Sequence, residues 1–243
     1  MNELLLLRGG IHVWVAPLSM PYETICNYKD LLSMEELRKA NSFQFEKDRN
    51  KYIIGKGLTR TLLSRFYLNT DARQVDFCYG KNGKPFLKEE INPNRVVFNV
   101  SHSHELVTIA VSVDKILGID VEYLRHIDDL EAIVFRFFSE IEKNWFGKIP
   151  KEKTLDAFYF MWTRKEAYTK SLGMGLGENL VTSVITNGHL SGKDSIIEEK
   201  TIVSEWIFFS YRIQNQYQLS IAVKGKKGSF DDYYCNLFYY ESV

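Results

Sequence analysis

Two short acidic stretches hold the residues best suited to chemistry. The first is Gly118-Ile119-Asp120-Val121-Glu122, which follows the apolar pair Ile116-Leu117. Apolar flanks make it the end of a buried strand, and alternation along a strand puts Asp120 and Glu122 on one face. Adjacent carboxylates repel, and burying them unpaired is costly. A divalent cation resolves that conflict, and an all-oxygen ligand set favours Mg²⁺ or Mn²⁺ over zinc. The second stretch is Trp162-Thr163-Arg164-Lys165-Glu166-Ala167-Tyr168-Thr169-Lys170. Its Trp162, Glu166 and Lys170 recur at helical spacing and share a face. Glu166 offers a third oxygen ligand from a separate element, and Lys170 offers a cation to an anionic substrate. Together these residues suggest a metal site that handles phosphate. Against this stands the simpler reading of Asp120-x-Glu122 as a solvated edge strand, the usual place for acidic side chains.

A third stretch, Asn99-Val100-Ser101-His102-Ser103, follows the strand-like Arg95-Val96-Val97-Phe98. It supplies short polar groups and one titratable ring at a strand end. Three segments then occur in a fixed order. They are Phe98-Asn99-x-Ser101-His102-Ser103, Gly118-Ile119-Asp120-x-Glu122 and Trp162-Thr163-x-Lys165-Glu166-Ala167-x-x-Lys170. In this combination the chain resembles the 4′-phosphopantetheinyl transferases of the surfactin-synthetase type. Gly83-Lys84-Pro85 and Arg136-Phe137-Phe138-Ser139 also match segments of that family, so the resemblance covers residues 33–177.

The resemblance implies transfer of 4′-phosphopantetheine from coenzyme A to a serine of an apo acyl or peptidyl carrier protein, with release of adenosine 3′,5′-bisphosphate. Asp120, Glu122 and Glu166 are then the metal ligands, and His102 and Lys170 contact the diphosphate. Ser101 and Lys84, with Pro85 beside it, hold the nucleotide end. Lys47 and Lys51 fall where the family places phosphate-contacting basic residues ahead of the small residue matched by Gly55, and Lys39 is a further candidate. Glu166, directly or through water, is the expected base for the incoming hydroxyl, with a metal-bound water as the alternative. The segment from Tyr123 to Phe138, with Arg125, Arg136, Phe137 and Phe138, is the expected carrier-docking surface.

The elements that must position these residues follow from local pattern. Ile11 to Val15 alternates as a first strand, with His12 a surface or structural histidine. Ser33 and Glu36 form a capping box for a helix reaching about Phe43. A second helix runs from about Lys47 to Leu68, with a core stripe that includes Tyr52, Ile53, Leu58, Leu62, Leu63 and Phe66. Val75–Tyr79 and Leu106–Val113 read as strands, and Asn82-Gly83 as a turn. Asp128 or Asp129 starts a helix to Phe138, and Ser139 with Glu142 caps the next. A long helix spans about Thr154 to Leu172 and ends at Gly173. Val181–Thr186, Trp206–Ile213, Tyr217–Val223 and Tyr233–Tyr240 read as antiparallel strands, with turns at Asn187-Gly188 and Asn215-Gln216.

The expected fold class is α/β (α+β). The resemblance implies two similar subdomains related by pseudo-two-fold symmetry, each a small, mainly antiparallel sheet packed with a long helix. The first covers residues 1–115 and carries the coenzyme A nucleotide contacts. The second covers residues 116–243 and carries the metal site and carrier docking. Such a chain completes its site alone, so a monomer is expected.

Bulk properties narrow the function classes. Lys plus Arg and Asp plus Glu both number 31 in 243 residues, so net charge is zero. Bulk nucleic-acid binding normally needs a basic surface and is not expected. The run Leu4 to Leu7 is too short for a membrane span or a signal-peptide core. Cys26, Cys78 and Cys235 form no CxxC pair, which fits a reducing cytoplasm. Two other function classes suit the same residues. A metal-dependent phosphodiesterase uses similar ligands, but zero net charge disfavours a long nucleic acid. A non-catalytic coenzyme A-binding module is disfavoured by intact carboxylates at all three positions.

Overall fold

The structure is a computed structural model and describes residues 10–174, 198–225 and 232–240. Its first half contains β1 (Gly10–Pro17), α1 (Tyr22–Lys29), α2 (Met34–Asn41) and α3 (Glu46–Leu63). A small hairpin follows, β2 (Phe77–Tyr79) with β3 (Pro85–Leu87), and then β4 (Val96–Ser103) and β5 (Leu106–Val113). The second half contains β6 (Leu117–Tyr123), α4 (Leu130–Phe137), α5 (Glu140–Phe146) and α6 (Thr154–Ser171). The last strands are β7 (Glu198–Val203), β8 (Trp206–Ile213), β9 (Tyr217–Lys224) and β10 (Tyr234–Tyr239).

These elements form two similar α/β halves. One four-stranded sheet has the order β10-β1-β5-β4, and the other has the order β6-β9-β8-β7. Each sheet is served by an 18-residue helix, α3 in the first half and α6 in the second. Alternation along the strands explains the layering. Ile11, Val13 and Val15 of β1 pack with Leu117, Ile119 and Val121 of β6 and with β8 and β9, so one core lies between the sheets. Trp14 and Ala16 face the other way, onto Ile54, Leu58 and Leu62 of α3. Phe208 and Ala222 turn outward from the second sheet onto Ala157, Phe158 and Met161 of α6. The order of layers is therefore helix, sheet, sheet, helix. His12 is a structural histidine, buried among aromatic rings with Nδ1 3.0 Å from the Tyr67 hydroxyl. Burial lowers its pKa to about 4 and keeps it neutral.

Both capping boxes form. The Ser33 hydroxyl accepts from the Glu36 amide and the Glu36 carboxylate accepts from the Ser33 amide; Ser139 and Glu142 repeat the pattern. Gly83 adopts φ 77°, as the turn between β2 and β3 requires.

Two expectations need correction. The Asn99–Ser103 stretch does not follow a strand end; it lies inside β4, which continues to Ser103. The last strand is not antiparallel: β10 pairs parallel to β1, returning from the second half to the edge of the first sheet. Hairpin reasoning fails there because β10 does not pair with its sequence neighbour. The helix α1 and the strand β7 had no clear sequence signal. The expected strand Val181–Thr186 and the Asn187-Gly188 turn lie outside the described residues.

Candidate active site at the seam between the halves

The site is built where β4, an edge strand of the first sheet, runs beside β6, an edge strand of the second. Side chains stitch these strands together, on a strict two-residue register. Asn99 Oδ1 accepts the Ile119 amide at 2.9 Å, Ser101 Oγ the Val121 amide at 3.3 Å, and Ser103 Oγ the Tyr123 amide at 3.0 Å. Asn99-x-Ser101-x-Ser103 thus satisfies β6 amides that an edge strand would leave to solvent. The two hydroxyls also donate, from Ser101 to Asp120 Oδ1 at 3.0 Å and from Ser103 to Glu122 Oε2 at 2.9 Å.

Since Leu117, Ile119 and Val121 fill the core between the sheets, Gly118, Asp120 and Glu122 face α6. Gly118 makes that approach possible. A Cβ there would stand 2.0 Å from the Ala167 carbonyl oxygen and 2.5 Å from the Ser171 nitrogen. The close contact brings Glu166 and Lys170 of α6 over β6. Lys170 Nζ lies 2.6 Å from Asp120 Oδ1 and donates to Ser101 Oγ at 2.8 Å.

Electrostatics marks the three carboxylates as one group. The pKa of Glu166 is raised to about 7, by burial first and then by the charges of Asp120 and Glu122, against the opposing pull of Lys170. Burial raises Asp120 against the pull of Lys170, and burial followed by the Asp120 charge raises Glu122. Among the described residues no three His, Cys, Asp or Glu side chains stand together as a ready-made metal site. Two buried carboxylate oxygens nevertheless lack any hydrogen-bond partner, Asp120 Oδ2 and Glu166 Oε1. Unsatisfied buried oxygens on two elements suit a hard divalent cation, so the donor set fits Mg²⁺ or Mn²⁺.

His102 is on the opposite side of β4 from Ser101 and reaches solvent. Desolvation lowers its pKa, and the charges of Lys170 and then Lys51 lower it further. It therefore lies within the field of two lysines. Lys47 Nζ and Lys51 Nζ lie 2.9 and 3.2 Å from Glu105 Oε1, and Lys51 also donates to the His104 carbonyl. Lys39 is exposed, over the Phe43 ring, and makes no contact with this group.

Lys84 is engaged elsewhere. Its Nζ donates to the Leu117 carbonyl at 3.0 Å and the Ser171 carbonyl at 2.7 Å, and burial lowers its pKa to about 8. Asn82 Nδ2 donates to the Gly173 carbonyl at 2.8 Å. The turn before Pro85 thus caps the last carbonyls of α6 from another element. Other motif residues are structural. Lys165 is fully buried against Glu142 at 2.7 Å, Thr163 Oγ1 lies 2.8 Å from Ser220 Oγ, and Trp162 stacks on Phe158. Phe138 of the expected docking segment is fully buried and belongs to the core, whereas Phe135 is 76% exposed.

Asn99 and Ser103 carry no distinct role in the sequence pattern and gain one only in the fold. The signal was their alternation with Ser101, which only a neighbouring strand makes meaningful. Asn82 and Glu105 left no such signal.

Comparisons with known proteins identify the family. The model of the 4′-phosphopantetheinyl transferase superfamily matches residues 116–222, and that of the 4′-phosphopantetheinyl transferase N-terminal region matches residues 20–114. The chain is 37% identical over 176 residues to the 4′-phosphopantetheinyl transferase HetI of Nostoc sp., covering 72% of this chain and 74% of that protein. The chain belongs to the 4′-phosphopantetheinyl transferase superfamily. Sfp of Bacillus subtilis, named as the same kind of transferase, is 30% identical over 195 residues, covering 80% and 83% of the two chains. A putative 4′-phosphopantetheinyl transferase of Synechocystis sp. is 31% identical over 170 residues, covering 69% and 67%. As a 4′-phosphopantetheinyl transferase the protein is an enzyme, and its seam brings together acidic and basic residues suited to phosphoryl chemistry. No helix among the described residues is long and apolar enough to cross a membrane.

Proposed function

We propose that this transferase moves the 4′-phosphopantetheinyl group of coenzyme A onto a serine of an apo acyl or peptidyl carrier protein, with Mg²⁺ or Mn²⁺ as its resident cation. The observation that carries the reading is the pair of partnerless buried oxygens, Asp120 Oδ2 and Glu166 Oε1, at the seam where Lys170 pairs with Asp120 Oδ1. Asp120, Glu122 and Glu166 would hold the cation. When bound, it supplies positive charge to the diphosphate and its leaving group.

The chain's own residues do the rest. Lys170 is 31% exposed at its side chain, so it faces both Asp120 and an anionic donor. With His102 it holds the diphosphate in line for attack. Glu166, brought over β6 from α6, takes the proton of the carrier serine. The serine oxygen then forms a bond to phosphorus as the bond to the departing nucleotide phosphate breaks. Adenosine 3′,5′-bisphosphate leaves with that electron pair. Ser101 fixes Asp120 and Lys170 together. Lys47 and Lys51 take the nucleotide end, and Lys84 with Pro85 supports it by anchoring the turn to α6.

In this reading residues 1–115 bind the nucleotide and residues 116–243 supply the carboxylates, with β10 tying the second half back to the first sheet. The carrier docks on the face bearing Arg125, Phe135 and Arg136, all exposed. A single chain carries every residue named, consistent with a cytoplasmic monomer. Incubation with coenzyme A, Mg²⁺ and a panel of apo carriers tests the reading. A carrier mass increase of one phosphopantetheinyl group supports it. Coenzyme A hydrolysis alone points to a phosphodiesterase, and binding without turnover to a non-catalytic module.

A further inference from the structure

Glu105 sits in the turn between β4 and β5, two residues beyond the mouth of Ser103 and three beyond His102. Its single oxygen Oε1 lies 2.9 Å from Lys47 Nζ and 3.2 Å from Lys51 Nζ. These lysines are one helical turn apart on α3 and share a face. The adjoining His104 carbonyl accepts a further hydrogen bond from Lys51, and His104 holds φ 51° in the two-residue turn. Lys47, then Lys51, pull the Glu105 pKa down. Lys51 in turn acts on His102, as does Lys170. The basic groups around His102 therefore include a lysine already held by an internal carboxylate.

These ion pairs are open to water. The side chains of Lys47, Lys51 and Glu105 are 68%, 23% and 34% exposed. Exposed pairs contribute only about 0–1 kcal/mol each, so a multiply charged phosphate can displace Glu105 at small cost. A weak, singly charged anion cannot offer as much in exchange. This inference rests on the reading of an anionic phosphate donor above.

We propose that Glu105 is an internal competitor for that donor. It occupies Lys47 and Lys51 in the free chain, gives them up to a phosphate ester or diphosphate, and thereby sets donor affinity and selects for high anionic charge.

The test is calorimetric binding of inorganic pyrophosphate and, separately, of coenzyme A, to the wild-type protein and to Glu105→Gln. Measurements at low and at physiological salt show the charge dependence. Glu105→Gln keeps the size of the side chain and releases both ammonium groups. Binding of both ligands should tighten about 3- to 10-fold, the range expected from one or two exposed pairs. Its salt dependence should steepen. In a Lys47→Met/Lys51→Met background, Glu105→Gln should bring no gain, because there is no pair left to release. Unchanged or weaker binding in Glu105→Gln overturns the proposal, since Glu105 would then be neutral or would orient the lysines for the ligand. So does a gain that persists without the lysines, or pyrophosphate binding to neither protein. Thermal denaturation of each variant confirms that the folded protein is being measured. If the pyrophosphate effect holds while no carrier is modified, the transfer reading fails and the competitor stands.

Discussion

Lys170 Nζ lies 2.6 Å from Asp120 Oδ1, although one residue comes from the last turn of α6 and the other from the middle of β6. Ser101 of the other half touches both, at 2.8 and 3.0 Å. This triad joins both sheets and the second long helix at a single point. Removing the cation leaves Asp120, 3% exposed at its side chain, without its charge partner. Lys170→Met should lower stability by about 1–3 kcal/mol, less than for a fully dry pair because Lys170 reaches solvent. Chemical denaturation of the metal-free protein reads this directly, and unchanged stability would show that the pair contributes nothing to the fold.

Glu166 should make the metal-free protein pH-sensitive. Its pKa is raised from 4.5 to about 7, so the folded state holds the proton more tightly than the unfolded state. The stabilisation is complete below the unfolded value and is lost as pH rises through the folded value. Between pH 4.5 and about 7, wild type should therefore lose up to about 3 kcal/mol relative to Glu166→Gln. The comparison with the variant matters because His12, lowered to about 4, contributes with opposite sign. Adding Mg²⁺ should restore stability at pH 8 far more than at pH 5, since the cation favours the ionised carboxylates. Parallel pH–stability curves for the two proteins would remove Glu166 from the buried acidic group.

The contact between β6 and α6 depends on the absence of one side chain. Gly118→Ala would push a methyl group into the backbone of Ala167 and Ser171. The cost should be about 1–3 kcal/mol or more, with loss of activity as Glu166 and Lys170 shift away from Asp120. Gly55 of α3 is the control, because a Cβ there meets nothing within 4 Å. Gly55→Ala should be neutral or stabilising by up to about 1 kcal/mol. Melting temperatures that rank the two variants the other way would contradict this packing.

His102 is proposed to touch the donor rather than to support the fold. His102→Ala should weaken coenzyme A binding or turnover about 10- to 100-fold, the loss expected for a hydrogen bond to a charged group. The melting temperature should hardly move, because His102 is exposed on the side of β4 away from Ser101. Wild-type kinetics in this variant would place the diphosphate elsewhere.

Much of the site was legible because its chemistry obeys short-range periodicities. Strand alternation put Asp120 and Glu122 together, and helical spacing put Glu166 and Lys170 together. The helix limits followed from capping chemistry at Ser33, Ser139 and Gly173. What escaped depended on which strands become neighbours. The Asn99, Ser101 and Ser103 side chains acquire their role as acceptors only when β6 lies alongside β4. Lys84 read as a nucleotide contact, yet in the fold it meets two carbonyls brought from residues far along the chain. The return of β10 to β1 is a long-range pairing of the same kind.

The central claim is that the acidic seam performs the transfer. The most direct measurement is the intact mass of an apo carrier protein after incubation with coenzyme A and either wild type or Asp120→Ala, with Mg²⁺ or with a chelator. Only wild type with Mg²⁺ should add one phosphopantetheinyl group and release an equal amount of adenosine 3′,5′-bisphosphate. Asp120→Ala should remain folded and leave the carrier unmodified. Modification by Asp120→Ala at the wild-type rate, or by wild type in the chelator, would contradict the account.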